Sequence, residues 1–211
     1  MKKYLICCGD SNDINSWSGI PYHILNISRE LLFEIEGVNL DTKKFTFLKY
    51  IWNLKQYIFT GNYSGFQYSD LFLNNLTKQI NIKPYEEIIL ISTFPLLPKI
   101  SSHNNWNIFY YLDATTKQIF DEYRCFNSIS KKYRETILYK EKKNFENSRM
   151  IFCMSEWARD SLINDYKVSK KKIVILPGGA NIRKKYIDKY KLCNFMPSPP
   201  SNHSPLKIGF L

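Results

Sequence analysis

Four polar stretches hold the side chains of this sequence that are able to do chemistry, and each lies beside an apolar run. In Ser16-Trp-Ser-Gly-Ile-Pro-Tyr-His23, Ser18 and Gly19 precede a helical pattern. A glycine there lets backbone approach a diphosphate, and the N-terminus of the following helix carries the partial positive charge that favours an anion. No GxGxxG accompanies it, so a glycine that only makes the turn is an equal reading. Asp113 ends the run Phe109-Tyr-Tyr-Leu112. Its carboxylate either faces a cleft, where it accepts a hydrogen bond from a substrate hydroxyl or helps deprotonate it, or caps a helix beginning at Ala114. Ser155 and Glu156 follow the run Met150–Met154. Ser155 reads first as an N-cap and Glu156 as a favourable first-turn charge; contact with an acceptor substrate or a second domain is the further reading. In Pro177-Gly-Gly-Ala-Asn181, Gly178 and Gly179 supply either positive φ or a close approach to a neighbour. His23, early in a helix, His103, in the polar Ser101–Asn105 loop, and His203 read as solvated or capping, with substrate contact a lesser reading for His103.

These stretches need elements to hold them. Met150–Met154 and Ile173–Leu176 are apolar without alternation, as in strands covered on both faces of a parallel sheet, and about ten residues of helical pattern join them. Lys3–Cys8, Lys44–Leu48, Glu87–Ser92 and Asn107–Leu112 read as further strands. Helices are predicted over Ile20–Ile35, with Ile24, Ile27, Leu31 and Ile35 on one face, over Ser69–Ile80 and over Lys131–Ser148, while Tyr50–Phe59 is ambiguous. The alternation predicts an α/β fold: a Rossmann-like open parallel sheet with helices on both faces. In such sheets ligands bind beyond the carboxyl ends of the strands, where the four polar stretches fall.

The 211 residues suffice for one domain with a sizeable core, and 44% hydrophobic content is that of a globular protein. The formal net charge of +11 favours anionic partners without naming one. Cys7, Cys8, Cys125, Cys153 and Cys193 form no CxxC pair and show no metal-ligand spacing with the histidines, so no metal site is expected and reduced, cytosolic thiols are the simplest reading. The apolar run after Lys2-Lys3 is too short for a signal segment, and no run reaches spanning length. The basic helix Lys131–Lys143 reads as a solvated face with a buried stripe, or as peripheral contact with an anionic membrane. No stacking platform or RNA-binding signature is present, so nucleic acid is not an expected partner. Asn194–Pro205, rich in proline and serine, reads as a linker, and Leu206–Leu211 as a strand with nothing behind it.

The stretch CMSEWARDSLINDYKVSKKKIVILPGGAN, Cys153–Asn181, resembles the last strand–helix–strand of the N-terminal domain of retaining family 4 glycosyltransferases of the GT-B fold. That family runs Pro-Asn-Gly-hydrophobic-Asp after the second strand; here Gly178 stands in place of the Asn and Asn181 in place of the Asp. A subset of the family shares the Ser18-Gly-x-Pro-Tyr22 segment and an Asp-Ala-Thr like Asp113-Ala-Thr115. The resemblance implies an acceptor-side domain over residues 1–193, a linker at 194–205, and at 206–211 the first strand of a missing C-terminal donor-binding domain. It implies transfer of a sugar from a nucleotide-sugar donor to a glycan or lipid-linked acceptor, with retention and without a metal or other cofactor. Ser18, Gly19, Gly178, Gly179 and Asn181 then lie toward the donor, Asp113 is catalytic, and His103, Ser155 and Glu156 lie toward the acceptor. Most groups that stabilise the leaving diphosphate, a basic pair and a Glu-x7-Glu segment among them, belong to the family's second domain, so these 211 residues alone are expected to be inactive. The rival class is a non-catalytic Rossmann-like module that binds a nucleotide or a membrane. A dinucleotide enzyme is disfavoured by the missing GxGxxG and by Lys49-Tyr50, in place of an acid, after the expected second strand.

Overall fold

A computed structural model of the chain describes residues 2–61, 63–82, 87–91, 107–123 and 128–178, all within one unit, Met1–Gly179. The expectations for His103, Gly179, Asn181, the linker and the strand at Leu206–Leu211 lie outside the described residues.

Six strands, β1 (Lys3–Cys8), β2 (Glu36–Leu40), β3 (Glu87–Ile91), β4 (Asn107–Leu112), β5 (Met150–Cys153) and β6 (Ile173–Ile175), form one sheet in the order β2-β1-β3-β4-β5-β6. Every neighbouring pair is parallel. The described helices are α1 (Ile20–Glu30), α2 (Thr46–Thr60), α3 (Asp70–Thr77), α4 (Thr116–Asp121), α5 (Lys131–Asn147) and α6 (Glu156–Asn164). This is the expected α/β, Rossmann-like open sheet.

Because successive strand residues face opposite ways, β1 feeds two cores. Leu5 and Cys7 pack with Leu25 of α1 on one face, joined by Trp17, Ile20, Ile24 and Ile35. Ile6 faces the larger core, where Phe72, Leu73 and Leu76 of α3, Ile137 and Phe145 of α5, and Ala158 and Leu162 of α6 meet Ile108, Tyr110, Leu112, Ile151 and Cys153. Short side chains start the helices: Ser69, Thr115, Ser130 and Ser155 each accept a backbone N–H in the first turn of α3, α4, α5 and α6. At the other end of α5, Lys172 Nζ donates to the carbonyls of Glu146 (2.6 Å) and Ser148 (3.0 Å), where a cation suits the helix C-terminus.

Two sequence expectations are corrected. The predicted helix 20–35 stops at Glu30, because Leu32 turns left-handed (φ 56°) and Phe33 N–H and Leu32 N–H donate to the carbonyls of Ser28 (2.7 Å) and Arg29 (3.2 Å). That is a Schellman termination with leucine where glycine is usual. Its inner face is Pro21, Leu25 and Ser28, while Ile27 and Leu31 are exposed. The second strand is Glu36–Leu40, not Lys44–Leu48, which instead forms a 3-10 turn leading into α2. β2 is an edge strand with only Leu40 buried, so Glu36, Gly37 and Asn39 leave no periodic signal, and the alternation of Phe45 and Phe47 mimics a strand. No helix among the described residues is long and apolar enough to cross a membrane.

Candidate functional site

The chain leaves β1 for β2 on one side and returns to β3 on the other, so the order of connection reverses at the β1–β3 crevice. In open parallel sheets the space beyond the carboxyl ends at such a reversal is where ligands bind. The loop after β1, the turn after β4, the start of α6 after β5 and the segment after β6 all open on this one edge, with Leu112 in register with Cys153 and Cys153 with Ile175. Strands are about 4.8 Å apart, so the ends of β1 and β4 are separated by about 10 Å, and those of β1 and β6 by about 19 Å. The candidate residues share a rim without meeting at a point.

The loop after β1 is held from below. Gly9 N–H donates to Leu40 O (3.1 Å), and Trp17 Nε1 donates to Cys8 O (2.7 Å). Ser11 donates to Asn39 Oδ1 from its backbone N–H (2.9 Å) and its hydroxyl (2.7 Å), and Asn39 Nδ2 donates to Asp10 (3.0 Å). Burial, with the nearby charge of Asp10, pushes the Cys7 thiol up to about 11, and burial raises Cys8 as well, so neither thiol is a thiolate nucleophile at neutral pH. From this platform Trp17 (φ 51°), Ser18 (φ 54°) and Gly19 (φ 77°) run left-handed in succession before α1 begins. For the two non-glycine residues such backbone costs about 1–2 kcal/mol each, a strain that tends to be kept where function needs it.

Gly19 is required here. A Cβ would lie 3.0 Å from Ile14 O and 3.2 Å from His23 Cδ2, at a φ that L side chains resist. Gly19→Ala is expected to lower stability by about 1–2 kcal/mol in urea unfolding; an unchanged midpoint would show that the turn relaxes freely. Beside it, His23 Nε2 is buried and has no hydrogen-bond partner among the described residues. The solvated reading does not describe this nitrogen, although the residue as a whole is partly exposed. An unpaired buried nitrogen next to a helix N-terminus is a feature that a polar ligand would satisfy.

Asp113 follows β4 and is exposed, its Oδ1 accepting from Ala114 N–H (2.9 Å). It is not the helix cap. Thr115 is, and its side chain and that of Gln118 bond reciprocally to each other's backbone N–H in a capping box at the start of α4. Beneath this turn is a group that motif reading missed. Glu141 of α5 is buried, and both its oxygens accept from Thr116 N–H (3.2 Å), while Thr116 Oγ1 (2.7 Å) and the Tyr166 hydroxyl donate to it as well. Burial raises its carboxyl from 4.5 to about 7, partly opposed by the hydrogen bonds from Tyr166 and Thr116. Lys117 N–H donates to the Tyr166 oxygen (3.1 Å), and Thr115 and Ser161 hydroxyls are 2.7 Å apart, so α4, α5 and α6 are tied together under Asp113. The signal was its spacing: Glu141 falls four residues from both Ile137 and Phe145 on the buried stripe of α5.

Ser155 caps α6, accepting from Ala158 N–H (3.2 Å), and exposed Glu156 pairs with Arg159 at 3.3 Å. The cap and first-turn readings describe both. Gly178 needs neither of the properties expected of a glycine there: its φ is not positive, and a Cβ would make ordinary contact with Met154 Sδ at 3.8 Å. The segment is fastened instead by the Tyr111 hydroxyl, which donates to Leu176 O (3.3 Å). A further correction concerns the second strand. It ends at Leu40 and is followed by Asp41, an acid, so Lys49-Tyr50 is no ground against a dinucleotide. Asp41 is engaged locally, by Lys43 N–H (2.9 Å) and Lys44 (3.6 Å), and the missing GxGxxG still stands against that reading. The chain matches no protein-family model, and no curated protein matches it.

Proposed function

We propose that this chain is the acceptor-side domain of a retaining glycosyltransferase, acting at the cytoplasmic face of a membrane on a glycan or lipid-linked acceptor. In this reading the left-handed turn at Ser18 and Gly19 lies toward the diphosphate of a nucleotide-sugar donor. Asp113 accepts a hydrogen bond from the acceptor hydroxyl. The observation that carries it is the common carboxyl rim shared by the Gly19 turn, Asp113 and Gly178 in a parallel sheet, with the likeness of Cys153–Asn181 to the family motif beside it. The chemistry asks for stabilisation of the charge that grows on the departing diphosphate. The helix α1 N-terminus supplies one preorganised dipole for it.

The spread of about 19 Å along the rim and the exposure of Asp113 favour a second reading, a module that binds a nucleotide without chemistry. One assay separates the two. The full-length polypeptide is incubated with UDP-, GDP-, dTDP- and ADP-sugars and a membrane glycolipid extract, and nucleoside diphosphate release is followed. Transfer predicts release that needs the extract. Binding of a nucleotide sugar with no release across the panel assigns the chain to the module, and no binding at all sinks both.

A further inference from the structure

Helix α2 has two apolar faces, and among the described residues only one is packed against a core. Leu48 and Trp52, one turn apart, join Phe45 against the larger core, with the Trp52 ring 5.9 Å from Phe66 and 6.1 Å from Tyr133. No residue of the helix is buried. On the opposite side Phe47, Tyr50, Ile51, Leu54, Tyr57 and Ile58 follow the i, i+3, i+4, i+7, i+10, i+11 spacing of a single stripe. All six are at least half exposed, reaching 73% at Phe47 and 68% at Ile58. A stripe about 17 Å long, of aromatic and branched side chains, is too large to be incidental surface.

The charges around it decide what covers it. Between Lys43 and Tyr63 the chain has Lys43, Lys44, Lys49 and Lys55 and no aspartate or glutamate. Asp41, just before, lies against Lys44 at 3.6 Å. Pairing this stripe with its twin in a second copy brings two sets of these lysines together with no acid on either helix to offset them. An anionic lipid surface accepts all of them. The helix α5, basic in sequence, differs in both respects. Its Lys140 pairs with Asp70 (2.6 Å) and its Lys143 with Glu146 (2.8 Å), and Tyr139 is its one exposed large apolar residue among the described residues.

We propose that α2 is a membrane-contact helix that lies in the plane of an anionic bilayer. Its Phe47–Ile58 stripe enters the boundary between headgroups and acyl chains, and Lys43, Lys44 and Lys55 reach the phosphates, their aliphatic stems lying along the apolar surface. Tyr50 and Tyr57 suit that boundary, with an apolar ring and a polar tip. The proposal stands whether or not the rim transfers a sugar, because binding is read without turnover.

The test is co-sedimentation of the 211-residue chain with vesicles of phosphatidylglycerol and phosphatidylcholine in equal parts, and with phosphatidylcholine alone. Expected is binding to the anionic vesicles at least ~10-fold stronger than to the neutral ones, weakened about fivefold for each of Lys43→Gln and Lys44→Gln. Leu54→Asp is expected to weaken it ~10-fold or more with the circular dichroism spectrum unchanged. If that variant does not fold, Ile58→Ser gives the same reading. Equal binding to both vesicle types overturns the proposal, as does undiminished binding by a folded stripe variant. A lipid-free dimer in sedimentation equilibrium that Leu54→Asp splits also overturns it, because the stripe then belongs to a second copy.

Discussion

Under the proposed transferase reading, Asp113→Ala is expected to slow sugar transfer by about 10²–10⁴-fold while leaving the unfolding midpoint close to that of the unsubstituted protein. The two halves of this expectation come from different features. The cap of α4 is Thr115 with Gln118, so removing the Asp113 carboxylate leaves the helix start intact. Among the described residues the bond lost is the one from Ala114 N–H, at an exposed position, which costs about 1 kcal/mol or less. The rate effect follows from the proposed role, a carboxylate at the carboxyl end of β4 that accepts a hydrogen bond from the acceptor hydroxyl or assists its deprotonation. Asp113→Asn separates base from hydrogen-bond acceptor: it keeps an oxygen for Ala114 and for the hydroxyl but has little proton affinity. A rate near that of the unsubstituted protein for Asp113→Ala, or a stability loss large enough to account for the slowing, removes the aspartate from the proposed mechanism.

The largest stability effect is expected at Glu141. Glu141→Ala leaves Thr116 N–H, the Thr116 hydroxyl and the Tyr166 hydroxyl without their acceptor in the interior and opens a cavity between α4 and α5. The expected cost is about 3–5 kcal/mol in urea unfolding. The same residue makes stability depend on pH. Its folded value, about 7, lies above the unfolded 4.5, so the folded chain holds a proton that the unfolded chain releases between those values. The contribution is therefore fully present below 4.5 and is lost as pH rises toward 7, an interval corresponding to about 3 kcal/mol. Glu141→Gln, which cannot ionise, is expected to flatten that slope. A slope identical in the two proteins would show that another group titrates there.

Most of the sheet was legible because its interior strands have no choice. Lys3–Cys8 and Asn107–Leu112 coincide with β1 and β4 to the residue and β5 ends one residue early, since strands covered on both faces must be largely apolar. The expected end of β3 lies outside the described residues. β6, expected to be covered on both faces, is instead the second edge strand with Val174 exposed, legible only because its residues are apolar. The edge strand β2 escaped for the opposite reason: half of it faces solvent, and nothing obliges Glu36 or Asn39 to be apolar. The helix α2 was ambiguous because a helix apolar on two sides has no single face for periodicity to find. At the site, position along the rim could be read from strand ends, and the caps at Ser69 and Ser155 from local chemistry. The roles that depend on tertiary contact could not. Glu141 is surrounded in sequence by lysines, and only its place between Ile137 and Phe145 hints at burial, while the burial of His23 Nε2 beside Gly19 is a product of the folded turn.

The strand order also bears on how the chain is made. β1 is synthesised well before one of its two partners, β3, which begins at Glu87, in register with Lys3. Until that strand has been synthesised, Leu5, Ile6 and Cys7 line an open, apolar backbone edge, a template for pairing between nascent chains. Pairing across so long a separation is also slow to form. An N-terminal fragment that stops short of Ile91 would keep this edge permanently, and aggregation, rather than partial folding, is the fate its topology prescribes.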